Sequence, residues 1–255
     1  MELDGYTIYA ITVLGIIQIC YFIFGGYIGS RAKKTSQKGV YFLSLQMIFL
    51  GVSMVAEIVG IISGILNIGF TVGIIPMICA LIFVHRVFYS EKKSPIKKVI
   101  PIFIIIVVIN LMIFSLQFFN RTVGINIYNI WGKLTMAALA LLAYSFEIYA
   151  PLREWSKIKA LNLEKHVKTR YWLFGVSQIA YTITTLTFYA VDPTKGGTDP
   201  VVFILTIITF IIMGLYVLGT YLTWFMPVWF KKKLNGPDQE SEEELSEEEI
   251  MGGKD

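Results

Sequence analysis

Seven apolar stretches, each about as long as a bilayer's hydrocarbon core is thick, recur along a chain of 255 residues. They extend from Tyr6 to Gly29, Val40 to Ile65, Phe70 to Tyr89, Val99 to Phe119, Ile130 to Ala150, Tyr171 to Val191 and Val201 to Trp229. In hydrocarbon every backbone N–H and C=O must be satisfied within the spanning structure, and each run is about twice the length a barrel strand needs. The expected fold class is therefore all-α, a polytopic membrane protein built as a seven-transmembrane-helix bundle. An apolar fraction of 55% and a mean hydropathy of +0.65 agree with lipid as the solvent.

Basic residues gather in alternate connections. Arg31 to Lys38, Arg86 to Lys98, Arg153 to Arg170 and Lys231 to Lys254 hold 19 of the 22 Lys and Arg, whereas Arg121, Lys133 and Lys195 fall on the other side. Positive charge accumulates in cytoplasmic loops, so the amino terminus is expected outside and the carboxyl terminus inside, in a multi-pass protein of the cell membrane. No basic segment precedes the first apolar run and the positive cluster follows it, which reads as a retained first helix. Trp131, Trp155, Trp172, Trp224 and Trp229 all fall near helix ends, where an amphipathic ring suits the headgroup layer.

The crossings occupy most of the chain, giving a transmembrane domain over 1–233 and a tail over 234–255. Gly236 and Pro237 break any helix, and Ser241 to Glu249 contains six Glu, a composition expected to stay disordered. The lipid bilayer is the first partner, since the basic loops face anionic headgroups, and nucleic acid is not expected. A cytosolic protein could read the inner loops or the acidic tail, although the tail's charge also serves simply to keep it solvated. The long connection from Pro151 to Arg170, with Trp155, Ile158, Leu161 and Leu163 among its charges, suits either a surface-lying amphipathic helix or a solvated loop.

Enzyme chemistry finds no foothold. His85 and His166 are the only histidines, HExxH, GxSxG and P-loop patterns are missing, and Cys20 and Cys79 fall inside apolar runs. No catalytic residue, metal ligand or cofactor is assigned, and the chain is not expected to be an enzyme. A retinal Schiff base would need a Lys midway along the last crossing, and that stretch has none. The crossing number and outside amino terminus are similar to those of G-protein-coupled receptors. Arg86, after His85, is the one position matching the Asp-Arg-Tyr end of their third helix, so the likeness is one of topology.

Polar residues within the apolar runs carry the functional signal, because each is costly unless it faces the bundle interior. Glu57 shares a face with Gln46, Ser53, Gly60 and Gly64 on the second crossing. A charged carboxylate at a helix centre costs roughly 2.5 to 3.5 kcal/mol, which directs Glu57 inward. Lys133 begins the fifth crossing at comparable depth, so a Glu57–Lys133 ion pair at the outer mouth of a pocket is one reading. In the other, Lys133 snorkels to headgroups while Glu57 is protonated and hydrogen-bonded.

Three further stripes recur at helical spacing: Ala137, Ala140, Tyr144 and Glu147; Gln178, Tyr181, Thr182, Thr185 and Tyr189; and Thr206, Thr209, Met213, Tyr216, Thr220 and Thr223. Facing inward together, they would line a small-molecule pocket with hydroxyls, amides and rings. Alternatively they only bond helix to helix. The ligand-binding set expected is Glu57, Lys133, Tyr144, Gln178, Tyr181, Thr185 and Tyr216.

Small residues four apart, Gly25 with Gly29, Ala56 with Gly60 and Gly64, and Gly69 with Gly73, favour close helix approach within the bundle or a homo-oligomer face. Asn110, Gln117 and Gln18 are expected to find interhelical partners. Asn120, Arg121 and Thr122 form the one N-x-[ST] sequon, placed outside but close to a helix end. The functional expectation is a receptor or sensor that binds a small ligand within the bundle and signals through its basic inner loops. A small-solute or proton-coupled transporter, and a structural or assembly subunit of a membrane complex, are the alternatives.

Overall fold

Long helices form where the apolar runs place them, and the departures occur at prolines and caps. The computed structural model describes residues 5–63, 68–89, 94–190 and 199–235, and all regular structure among them is helical. The helices are α1 (Gly5–Lys34), α2 (Lys38–Ser63), α3 (Ile68–Val72), α4 (Ile74–Phe88), α5 (Ile96–Phe119), α6 (Arg121–Ile127), α7 (Lys133–Ile158), α8 (Lys165–Ala190), α9 (Pro200–Trp224) and α10 (Val228–Asn235). A π-helical turn, Tyr128–Gly132, joins α6 to α7.

Among the described residues, six helical segments are long and apolar enough to cross a bilayer: Ile11–Lys34, Lys38–Gly60, Ile68–Phe88, Ile96–Phe119, Arg121–Ile158 and Pro200–Trp224. The chain is thus an all-helical protein suited to a multi-pass membrane setting. Helix α8 matches the others in length at 26 residues. Its Gln, Thr and Tyr residues make it less apolar, and these are the residues it buries: Gln178, Tyr181, Thr182, Thr184, Thr185 and Tyr189. Trp172, Ile179 and Ile183 form its exposed side.

Neighbour relations close a ring: α1 packs on α2, α2 on α4, α4 on α7, α7 on α8, α8 on α9, and α9 returns to α1. Helix α5 lies outside that ring, against α6 and α7, with only Ile96, Phe103 and Asn110 buried. Glycines set several of the close approaches. A Cβ on Gly25 would stand 2.7 Å from Ile48 Cγ1 of α2, one on Gly175 would stand 2.6 Å from Leu152 of α7, and one on Gly219 would stand 2.6 Å from Ser177 of α8. The Gly25 and Gly29 pair expected from spacing therefore serves packing inside the bundle, where Ser44 Oγ donates to the Gly25 carbonyl at 2.6 Å.

Four boundaries differ from the sequence expectation. The third crossing, expected to run unbroken from Phe70 to Tyr89, is interrupted at Gly73. Pro76 accounts for this, because it offers no N–H to Val72 and its ring would clash with that carbonyl in a continuous helix. The connection before Ile130 is helical from Arg121, because Asn120 caps α6 by accepting from Val123 N at 3.2 Å.

The fifth crossing does not stop at Ala150 but continues through Pro151 to Ile158, so most of the expected surface segment from Pro151 to Arg170 belongs to α7 and α8. The seventh ends at Trp224, not Trp229. Pro227 disfavours helical geometry in the residue before it, and Met226 adopts a left-handed φ of 39°. Of the five tryptophans, Trp131, Trp172 and Trp229 are exposed and Trp155 half-exposed. Trp224 instead packs edge-on against Phe174 in the core.

Candidate functional site

The three inward stripes meet, and their meeting point is a carboxylate other than Glu57. Glu147 of α7 has no exposed surface. Gln46 of α2, also without exposed surface, donates from Nε2 to Glu147 Oε2 at 2.9 Å. That bond leaves Glu147 Oε1 and Gln46 Oε1 without hydrogen bonds. Pro151, four residues on, also deprives the Glu147 backbone carbonyl of its usual helical donor.

A run of tyrosines surrounds this pair. Tyr144 and Tyr181 stack edge-on with centroids 4.9 Å apart and hydroxyls 3.3 Å apart. Tyr181 lies 4.7 Å from Tyr216, and Tyr216 lies 6.2 Å from Tyr21 of α1. The Tyr216 hydroxyl reaches Met47 Sδ at 3.5 Å. Tyr216 is a near neighbour of Gln178, Thr220 and Glu147 alike. The Gln178 amide makes no well-formed hydrogen bond at either end, and the Tyr21 and Thr220 hydroxyls are likewise unmet. Buried polar groups in proteins nearly always find a partner, and here the Tyr216 hydroxyl is the group within hydrogen-bonding reach of Gln178 and Thr220, while Glu147 Oε1 and Gln46 Oε1 have none.

Glu57 sits about 16 Å further along α2 than Gln46, at 1.5 Å per residue. It is half-buried, and its Oε2 accepts from Gly69 N at 3.0 Å. A Cβ on Gly69 would lie 2.5 Å from both Glu57 Cβ and Ser53 O, so the bond depends on a residue without a side chain. Lys133 is close enough to act on the Glu57 carboxylate through space, but the two form no ion pair. The pairing offered as one reading from sequence is replaced by a backbone N–H donor.

Around the Glu57 carboxylate, Tyr128 is buried with its hydroxyl 3.4 Å from Thr71 Oγ1. Asn110 donates to Gly132 O at 3.0 Å and to Thr135 Oγ1 at 2.7 Å, holding the π-helical turn. Asn110 thus has the interhelical partners expected of it. Tyr189, edge-on to Phe70 at 5.3 Å, lies within electrostatic range of both Glu57 and Tyr181 and links the two levels.

Of the ligand-binding set expected from sequence, Tyr144, Gln178, Tyr181 and Tyr216 converge in the bundle centre. Glu57 and Lys133 belong to a second level, towards the Ser63 end of α2. Thr185 is buried, but its hydroxyl donates to its own helix at Tyr181 O, 2.9 Å away. Thr182, Thr209 and Thr223 do the same four residues back, so these hydroxyls are satisfied within their own helices, and Thr206 likewise donates to Val202 O. Glu147 and Gln46 were visible as members of stripes, but their pairing across α2 and α7 is a tertiary fact that spacing within one helix does not reveal. No metal-binding group of three or more His, Cys, Asp or Glu occurs among the described residues. No family model, curated protein or solved structure matches the chain.

Proposed function

We propose that the chain is a receptor or sensor of the cell membrane, crossing it seven times with the amino terminus outside and the carboxyl terminus cytoplasmic. The crossing added to the six apolar spans in this reading is α8, the sixth in chain order, whose polar residues turn inward while its outer side stays apolar. The basic residues flanking the inner helix ends support the orientation.

One observation carries the functional reading: Glu147, Gln46 and Gln178 lie buried in the bundle with hydrogen-bonding capacity unused. A small polar ligand completing those bonds would link α2, α7 and α8. Because the centre is sealed, with Tyr21, Tyr144, Tyr181 and Tyr216 each at most 4% exposed, entry requires helices to separate. A ligand that favours one arrangement over the other would shift the inner ends of α7 and α8 through that differential affinity alone. The basic connection between them is where a cytosolic partner would sense the change.

Native mass spectrometry of gently extracted protein tests this reading. A small molecule retained by the wild-type chain and lost from Glu147→Gln supports it. Glu147-dependent uptake of a solute into proteoliposomes would instead establish the transporter alternative, which the tyrosines leading from Glu57 toward Glu147 favour as a second reading.

A further inference from the structure

Charge balance at the bundle centre is incomplete. Among the described residues no Lys, Arg or His forms an ion pair with Glu147, and its one hydrogen-bond donor is the neutral Gln46 amide. The unmet groups nearby are rich in acceptors: the oxygens of Glu147, Gln46 and Gln178, against the single Gln178 amide nitrogen, with the Tyr21 and Thr220 hydroxyls able to act either way. Tyrosine rings wall the cluster, and aromatic faces favour a positive charge.

An acceptor-rich, aromatic-lined cluster with one carboxylate and no counter-charge of its own is complementary to a cation. The occupant is small, because neither Glu147 nor Gln46 retains exposed surface. It is monovalent, because one carboxylate offsets one positive charge, and hard oxygen donors suit an alkali ion; the buried Cys79 thiol lies within electrostatic range of Glu147 but is not one of those donors. We propose that Glu147 Oε1 and Gln46 Oε1 bind a small alkali cation that ties α2 to α7, with Gln178 and Thr220 completing its oxygen shell from α8 and α9. This rests on the bundle centre being the functional site, and it supplies what the sealed state holds there.

Thermal unfolding of the full chain in detergent, in sodium, potassium or choline chloride at equal ionic strength and neutral pH, tests the proposal. Sodium should raise the unfolding temperature by several degrees over choline and do so saturably, as expected when a ligand binds only the folded state. The shift should vanish in Glu147→Gln, shrink in Gln46→Leu and persist in Glu154→Gln, whose carboxylate pairs with Lys157 outside the centre.

Equal unfolding temperatures in the three salts, a shift that never saturates, or one retained by Glu147→Gln would each overturn it. So would stabilisation by acid in choline with no added effect of sodium, which would make a proton the occupant. Equilibrium binding of radioactive sodium to the wild-type chain reads the same site should Glu147→Gln fold poorly, and failure to bind counts against the proposal. These measurements contain no organic ligand, so their outcome is separable from the mass-spectrometric test of the receptor reading.

Discussion

Two carboxylates, one on α2 and one on α7, meet the same demand, removal from lipid, in different ways. Glu57 stays half-buried near one end of its helix and takes a backbone N–H from Gly69, leaving Lys133 nearby but unpaired with it. Glu147 gives up all contact with solvent and takes a side-chain amide from another helix. The first arrangement is local and relieved by partial exposure. The second depends on two helices being held in register, and it leaves acceptors unused, so any imbalance there acts on the whole bundle.

The comparison breaks most readily at Gln46. Gln46→Leu removes the only hydrogen-bond donor to a fully buried carboxylate and should cost about 3 kcal/mol, read from unfolding in detergent. Adding Glu147→Leu should recover at least half of that loss, since an apolar pair leaves nothing unmet. A double mutant no more stable than Gln46→Leu would show that the pair does not carry the stability assigned to it.

Gly69→Ala comes next, at about 2 kcal/mol. Its new methyl would press on the α2 backbone at Ser53 O and displace the N–H that serves Glu57. Unchanged stability would mean that α3 is free to move away from α2. Glu57→Gln should cost about 1 kcal/mol or less, because a half-buried carboxylate retains an alternative in solvent. A loss as large as that from Gln46→Leu would erase the distinction between the two levels. Tyr21→Phe should be neutral or slightly stabilising, since the hydroxyl it removes is buried without a hydrogen bond. A clear loss would indicate that this hydroxyl is used, which a bound ion or water would explain.

Legibility in the sequence followed interaction range. The stripes on α8 and α9 are read correctly as inward faces, because Gln178, Tyr181, Thr206 and Tyr216 repeat at the helical period and each is too polar for lipid. The alternative of helix-to-helix bonding does not describe Thr182, Thr185 and Thr209, whose hydroxyls bond within their own helices. A hydroxyl four residues from a helical carbonyl has a partner already at hand. Gly175 and Gly219 carry no spacing signal because neither has a small companion four residues away to mark it. Glu57 drew more weight than Glu147 because rarity within one apolar run says nothing of what faces the residue across the bundle.

Lipid as solvent, an all-helical build and the alternation of basic connections follow from the chain alone, because length, apolarity and charge count act residue by residue in a bilayer. Which carboxylate occupies the centre, and that Gln46 meets it while Lys133 serves neither acid as an ion-pair partner, was decided by the ring α1, α2, α4, α7, α8 and α9. That order arises from close approaches such as Gly25 on α2 and Gly219 on α8, contacts between residues far apart in sequence. A helical period records only which side of each helix turns inward, and rotation and register against a neighbour are settled when the helices pack.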